Sequence, residues 1–255
     1  MSDSTALVDG HPWSGPFPGI SVGAVLRRLR SAAGGVLDPG PGEPPPRWRG
    51  RGSLVLVGGL CTTELTLAPL GEWLGRLGYT VTTYTAGAGM GCGAQTVERL
   101  REVIRHADDG DGVRLVGYSR GGQFARVALQ DPDLPVRSLT TLGTPFDLYG
   151  VSRPLLVQAA AIAVAGTLGV PGLARLSCVL GECCAEFREM LRAPVRVPFT
   201  ALYSRDDRLV RWQACVDPGA RLVEVPGSHL DLVSAGAPLR AVARELSEPV
   251  PALAC

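Results

Sequence analysis

The chain contains no lysine: all 25 of its basic residues are arginine. Set against 24 acidic residues they leave a net charge of +1, which gives no electrostatic reason to expect nucleic acid or an anionic membrane as a partner. With the richness in Ala, Gly, Pro and Val, the missing lysine reads as genomic GC bias rather than chemistry. A secretory signal is not evident either, since Met1 to Trp13 carries Asp3 and Asp9, no basic cluster and no apolar core. Long hydrophobic runs are absent as well. The longest apolar stretch, Leu155 to Val170, holds Gln158 and glycines between Pro154 and Pro171, and falls short of the ~20 residues a membrane span needs. A soluble, cytoplasmic protein is the expectation. The seven cysteines include no C-x-x-C pair, and adjacent Cys183 and Cys184 lack metal-ligand spacing, so no metal site and no cofactor are expected. Reduced, buried thiols are the reading for a cytosolic chain.

What is present begins with organisation. Residues 1–50 form a leader and linker: Val22 to Ala33 has the spacing of a short amphipathic helix, and Gly34 to Pro46 is too dense in Gly and Pro to continue it. From Arg51 onward β-type and helical runs alternate. Strands are predicted at Ser53–Val57, Thr80–Tyr84, Val113–Tyr118, Val136–Leu142, Phe199–Tyr203 and Arg221–Val225. Helices are predicted at Leu67–Leu77, Thr96–His106, Gln123–Leu129 and about Ala237–Leu246. That alternation over 255 residues predicts one α/β domain, about 51–248, with a mostly parallel sheet flanked by helices. Between about 149 and 194 it lapses into an Ala/Leu/Val-rich segment. This reads either as a helical insertion in the position of a cap or as an ordinary packed helix pair.

The chemistry-bearing motif is Gly117-Tyr118-Ser119-Arg120-Gly121, placed where a strand turns into a helix. Small residues two positions either side of the serine are what a sharp nucleophile elbow needs, because bulk there would clash. A serine hydroxyl needs an adjacent base, and the chain offers only three histidines. His11 lies in the leader, and His106 ends a helix before the serine strand, where a surface position is expected. His229, in the turn Pro226-Gly227-Ser228-His229, is the predicted base. The carboxylate that holds such a histidine in its tautomer is sought in Ser204-Arg205-Asp206-Asp207-Arg208. Asp207, three before Val210 at the loop tip, is favoured over Asp206, whose role would then be a solvated or turn-capping charge.

Taken together, these pieces resemble an α/β-hydrolase of the lipase/esterase kind, most similar to small actinobacterial lipase-like hydrolases. The matching residues are Gly58-Gly59-Leu60 after the first strand, the elbow at Ser119, Leu142-Gly143-Thr144-Pro145, the acid loop through Asp207, and Gly227-Ser228-His229. The resemblance covers about residues 52 to 246. It implies an α/β-hydrolase fold with a helical cap insertion, the catalytic residues Ser119, Asp207 and His229, and an oxyanion hole from the backbone N–H groups of Leu60 and Arg120. Family members usually carry His-Gly where this chain has Gly58-Gly59, which removes a side chain that braces the oxyanion loop. The fold also implies that the loops of Cys92 and Cys215 approach each other, where a disulfide is an expectation.

The function expected from this set is hydrolysis of lipophilic carboxylic esters through an acyl-enzyme. The same three residues serve a thioesterase or acyltransferase of a biosynthetic pathway. A third expectation, from a different class, is a non-hydrolytic binding protein, cyclase or lyase on the same scaffold. Small-molecule lipophilic esters or thioesters are the expected partners.

Overall fold

The computed structural model describes residues 40–85, 91–146, 152–171, 173–177 and 182–247. The leader helix expected at Val22 to Ala33 lies outside the described residues. Six strands form one sheet: β1 (Ser53–Val57), β2 (Thr80–Tyr84), β3 (Val113–Tyr118), β4 (Val136–Leu142), β5 (Phe199–Tyr203) and β6 (Arg221–Glu224). Their order is β2-β1-β3-β4-β5-β6 and every pairing is parallel. The strand order reverses between β1 and β3. That reversal marks the carboxyl ends of those two strands as the place where open α/β sheets hold ligands.

Every residue of β1 is buried, as expected of a strand covered on both faces. Alternate side chains enter two cores. Leu54 and Leu56 pack with α1 (Glu64–Arg76) and with α7 (Gly236–Ser247), through Leu70, Trp73, Leu239 and Val242. Val55 and Val57 pack with α2 (Gly93–Ala107) and α3 (Arg120–Ala128), through Val97, Leu100, Phe124 and Val127. Helix α1 starts at Glu64, ahead of the first buried position Leu67, because Thr63 and Thr66 form a reciprocal capping box at its N-terminus.

Two longer helices lie between β4 and β5: α4 (Arg153–Thr167) and α5 (Glu182–Arg192). They meet different surroundings. Phe187 and Leu191 of α5 join the second core, and the Phe187 ring stands edge-on to Phe124 at 6.1 Å. Helix α4 turns much of its apolar surface outward, with Val157 69% exposed. The short helix α6 (Asp231–Ser234) follows β6 and precedes α7.

One buried ion pair ties the layers together. Arg126 of α3 meets Asp217 at 2.6 Å and donates to the Ala193 carbonyl just past α5 at 3.1 Å. Its guanidinium lies 4.9 Å from the Phe146 ring and 5.5 Å from the Phe199 ring. Nothing in the spacing of the sequence announces this strut.

Candidate active site

Ser119 stands between β3 and α3 with φ 54° and ψ −129°, a conformation that L-residues avoid. Two close approaches impose it. A side chain on Gly117 would strike the Gly122 backbone, and one on Gly121 would strike the Val57 carbonyl. The Ser119 N–H donates to the Leu142 carbonyl at 2.8 Å, which locks the turn to β4. The elbow read from the sequence is thus present in its strained form.

The acid loop follows β5. Asp207 is almost wholly buried, and its Oδ2 accepts from His229 Nδ1–H at 2.6 Å. Its Oδ1 accepts from the Leu209 and Val210 N–H groups at 2.8 and 3.0 Å, so the carboxylate is fixed before it meets the ring. The geometry separates the two aspartates. Asp206 is exposed and accepts from the Gly227 N–H at 3.4 Å, bracing the histidine loop rather than touching the ring. Ser204 helps by donating to the Gly227 carbonyl at 2.6 Å. Asp231 holds Ser228 through its N–H and hydroxyl at 2.7 and 2.6 Å.

His229 is brought over the elbow by Tyr118, the residue before the serine. The two rings lie 4.9 Å apart, and the Tyr118 hydroxyl donates to the His229 carbonyl at 3.2 Å. A side chain on Gly143, just past β4, would come within 3.1 Å of the His229 ring, so that glycine leaves space for it. Ser119 Oγ and the His229 ring are not hydrogen-bonded to each other; resting sites often hold this contact long and tighten it only around substrate. Burial pushes the Tyr118 phenol well above its usual pKa, and the nearby Asp207 and Asp231 carboxylates add to the rise. The other two histidines stand apart from this cluster. His106 is exposed at the end of α2 with its ring against the Glu102 carbonyl, and His11 lies outside the described residues.

The loop after β1 faces the elbow. A Cβ on Gly59 would lie 2.8 Å from Ser119 Cβ and 2.9 Å from the Arg120 nitrogen. Only a bare backbone fits there. The bracing lost with the missing histidine is supplied by Thr62, a buried residue whose Oγ1 accepts from the Gly59 N–H at 3.1 Å. Cys61 takes φ 55° in the same loop and is held by Gln158 of α4, whose amide lies 3.4 Å from its sulfur. Sequence reasoning missed Thr62 and Tyr118: a threonine three residues past a glycine turn carries no recognisable signal, and Tyr118 was visible only as the variable position of the elbow.

The expected Cys92–Cys215 disulfide is not formed. Cys215 is a free, buried thiol in a short 3-10 turn (Trp212–Cys215), and burial beside Asp207 pushes its pKa up to about 12. Cys215 instead fills a buried position, its thiol turned to the Arg211 carbonyl at 3.8 Å.

No protein-family model and no curated protein sequence matches the chain. Solved structures do. A metagenomic carboxyl esterase superposes with a TM-score of 0.56 at 17% identity, covering 89% of this chain and 89% of its own. A lipase-esterase related protein from Clostridium acetobutylicum gives 0.55 at 14% identity, with 78% of this chain and 94% of that one covered. An extracellular α/β-hydrolase from a Paenibacillus species, described as sharing homology with tobacco salicylic acid binding protein 2, gives 0.53 at 16% identity over 76% and 97%. At such identities the likeness speaks for architecture. With its parallel six-stranded sheet, its switch point between β1 and β3 and its strained serine turn, this chain has the α/β-hydrolase fold.

Proposed function

We propose that this protein is a serine hydrolase of carboxylic esters with lipophilic acyl or alcohol groups. The observation that carries the reading is the 2.6 Å bond from His229 Nδ1 to buried Asp207, in a loop packed against the strained Ser119 elbow. That bond leaves Nε2 as the proton acceptor of the ring. In the proposed reaction His229 takes the Ser119 hydroxyl proton as Oγ attacks the ester carbonyl. Asp207 stabilises the imidazolium. The N–H groups of Leu60 and Arg120 receive the oxyanion, each worth roughly 3–4 kcal/mol in the transition state. His229 protonates the departing alcohol, and water, activated by the same ring, releases the acid and restores Ser119.

Supporting the oxyanion assignment, Gly59 lies against the Arg120 nitrogen, and Thr62 fixes the turn that leads to Leu60. The segment 149–194 is proposed as the cap, its outward apolar residues on α4, such as Val157 and Val164, favouring lipophilic substrates. Residues 1–50 are proposed as leader and linker. No helix among the described residues is long and apolar enough to cross a membrane. A cytoplasmic setting is proposed with the free Cys215 thiol in support.

Hydrolysis of p-nitrophenyl esters of graded acyl length, wild type against Ser119→Ala, tests this reading. Turnover that disappears in the variant is expected, with a preference for longer acyl chains. Full activity in Ser119→Ala would sink the assignment. A wild type inert on every oxygen ester but active on acyl thioesters would move the substrate class.

A further inference from the structure

At the end of the sheet away from Ser119 lies a cavity of about 380 Å³ whose wall gathers four arginines, Arg49, Arg51, Arg114 and Arg137, against one carboxylate, Asp111. Arg51 lies two residues before the start of β1, Arg114 is the second residue of β3 and Arg137 the second of β4. Parallel register sets Leu54 beside Arg114 and Arg114 beside Ser138, so the positions fall side by side along the amino ends of three adjacent strands. Five residues of β3 at about 3.3 Å each put this cavity roughly 17 Å from the serine.

These arginines differ from others in the molecule. Arg76, Arg101, Arg105, Arg126, Arg205 and Arg221 each pair with a carboxylate. The side chains of Arg49, Arg51, Arg114 and Arg137 make no ion pair or hydrogen bond to any described residue. The Nε of Arg114 is buried without a partner, and its guanidinium lies over the Tyr79 ring at 5.8 Å. A buried, unmatched donor costs free energy unless something accepts from it. Glycines 50, 52 and 112 also line the hollow, so no side chain of theirs fills it. Like charges converging on one concavity repel each other, and the arrangement favours a ligand that brings several negative charges with it.

We propose that this cavity binds the diphosphate group of a small molecule, at a site separate from the serine centre. Arginine forks match phosphate oxygens bidentately, and several forks around one hollow fit two linked phosphates better than a lone carboxylate. The near-zero net charge of the chain hides this local excess.

Calorimetric titration of the full chain with inorganic pyrophosphate, ADP and sulfate, at matched ionic strength near ~150 mM, tests it. Pyrophosphate and ADP are expected to bind and sulfate to bind more weakly. Loss of one charge-assisted contact in Arg114→Ala or Arg137→Ala should weaken pyrophosphate binding by roughly 10- to 100-fold. Arg137→Lys, which keeps the charge but loses the fork, should fall between. ADP binding tighter than pyrophosphate would point to a nucleotide source, and equal affinities to the diphosphate alone. No pyrophosphate binding, affinity matched by sulfate, or affinity unchanged in the variants would each overturn the proposal. Should Arg114→Ala fail to fold, exposed Arg137 decides the question. Arg137→Ala is expected to hydrolyse esters at the wild-type rate, so this result stands apart from the outcome at Ser119.

Discussion

Gly59 lies so close to Ser119 that a methyl group on the glycine would sit 2.8 Å from the serine Cβ. The turn after β1 and the elbow after β3 are therefore one packed unit, and a side chain on either surface must push them apart. Gly59→Ala is expected to fold and to lose ester hydrolysis by about a hundredfold or more, because the proposed oxyanion donors would move off their target. Circular dichroism with kcat/KM on a p-nitrophenyl ester checks it. Near-wild-type kcat/KM would mean that the loop plays no part in charge stabilisation.

Thr62 offers a gentler probe of the same loop. Thr62→Val keeps the shape but leaves the Gly59 N–H without its acceptor, a loss of about 1–3 kcal/mol when buried. The expected result is a lower kcat with KM little changed, and partial recovery in Thr62→Ser. A change confined to KM would assign Thr62 to substrate binding instead.

The strands were legible because a buried parallel sheet writes itself as short apolar β-branched runs: five of the six match the predicted spans, and β6 ends one residue early, at Glu224. Helix starts were less legible, since they depend on caps such as Thr63 that carry no periodicity. The strained turn at Ser119 and the contact between Asp207 and His229 could be anticipated because the spacing of such a turn is rigid and histidine is scarce. Thr62, Tyr118 and the Arg126–Asp217 pair could not, since each depends on contacts between residues whose spacing follows no repeat. The arginine-lined cavity was hidden for a related reason. Its residues lie far apart in the chain, and only parallel register brings the strand starts together.

The two neighbouring aspartates should behave differently. Asp207→Asn removes the partner that holds the His229 tautomer and, on the proposed triad role, should cost activity by about 10⁴-fold. Asp206→Asn loosens one backbone contact to Gly227, and a fall of no more than severalfold is expected. Steady-state kinetics of the pair at neutral pH decide it. The reverse order would exchange their roles.

The Arg126–Asp217 pair makes a claim about stability rather than catalysis. With side chains 4% and 14% exposed, removing one partner strands the other charge. Asp217→Asn should destabilise the fold by roughly 3 kcal/mol in urea unfolding. Arg126→Met, which removes the buried charge and keeps the stem that packs on Phe146, should cost less. Equal losses from both would show that packing, not the unpaired charge, dominates.

Tyr118 yields a prediction whose sign depends on pH. At pH 7 its hydroxyl donates to the His229 carbonyl, so Tyr118→Phe should lose about 1 kcal/mol of stability. Burial, with Asp207 and Asp231 nearby, raises the phenol pKa in the folded state above its unfolded value near 10. A group whose folded pKa is raised keeps its full contribution below the unfolded pKa and loses it as pH climbs beyond. The wild type should therefore weaken above pH 10 by an amount that the phenylalanine variant escapes. Other alkaline titrations, Cys215 among them, act on both proteins and cancel in the difference. Urea midpoints of the two proteins between pH 8 and 11 should converge and then cross. A constant gap across that range would mean that Tyr118 is not held neutral by the buried site.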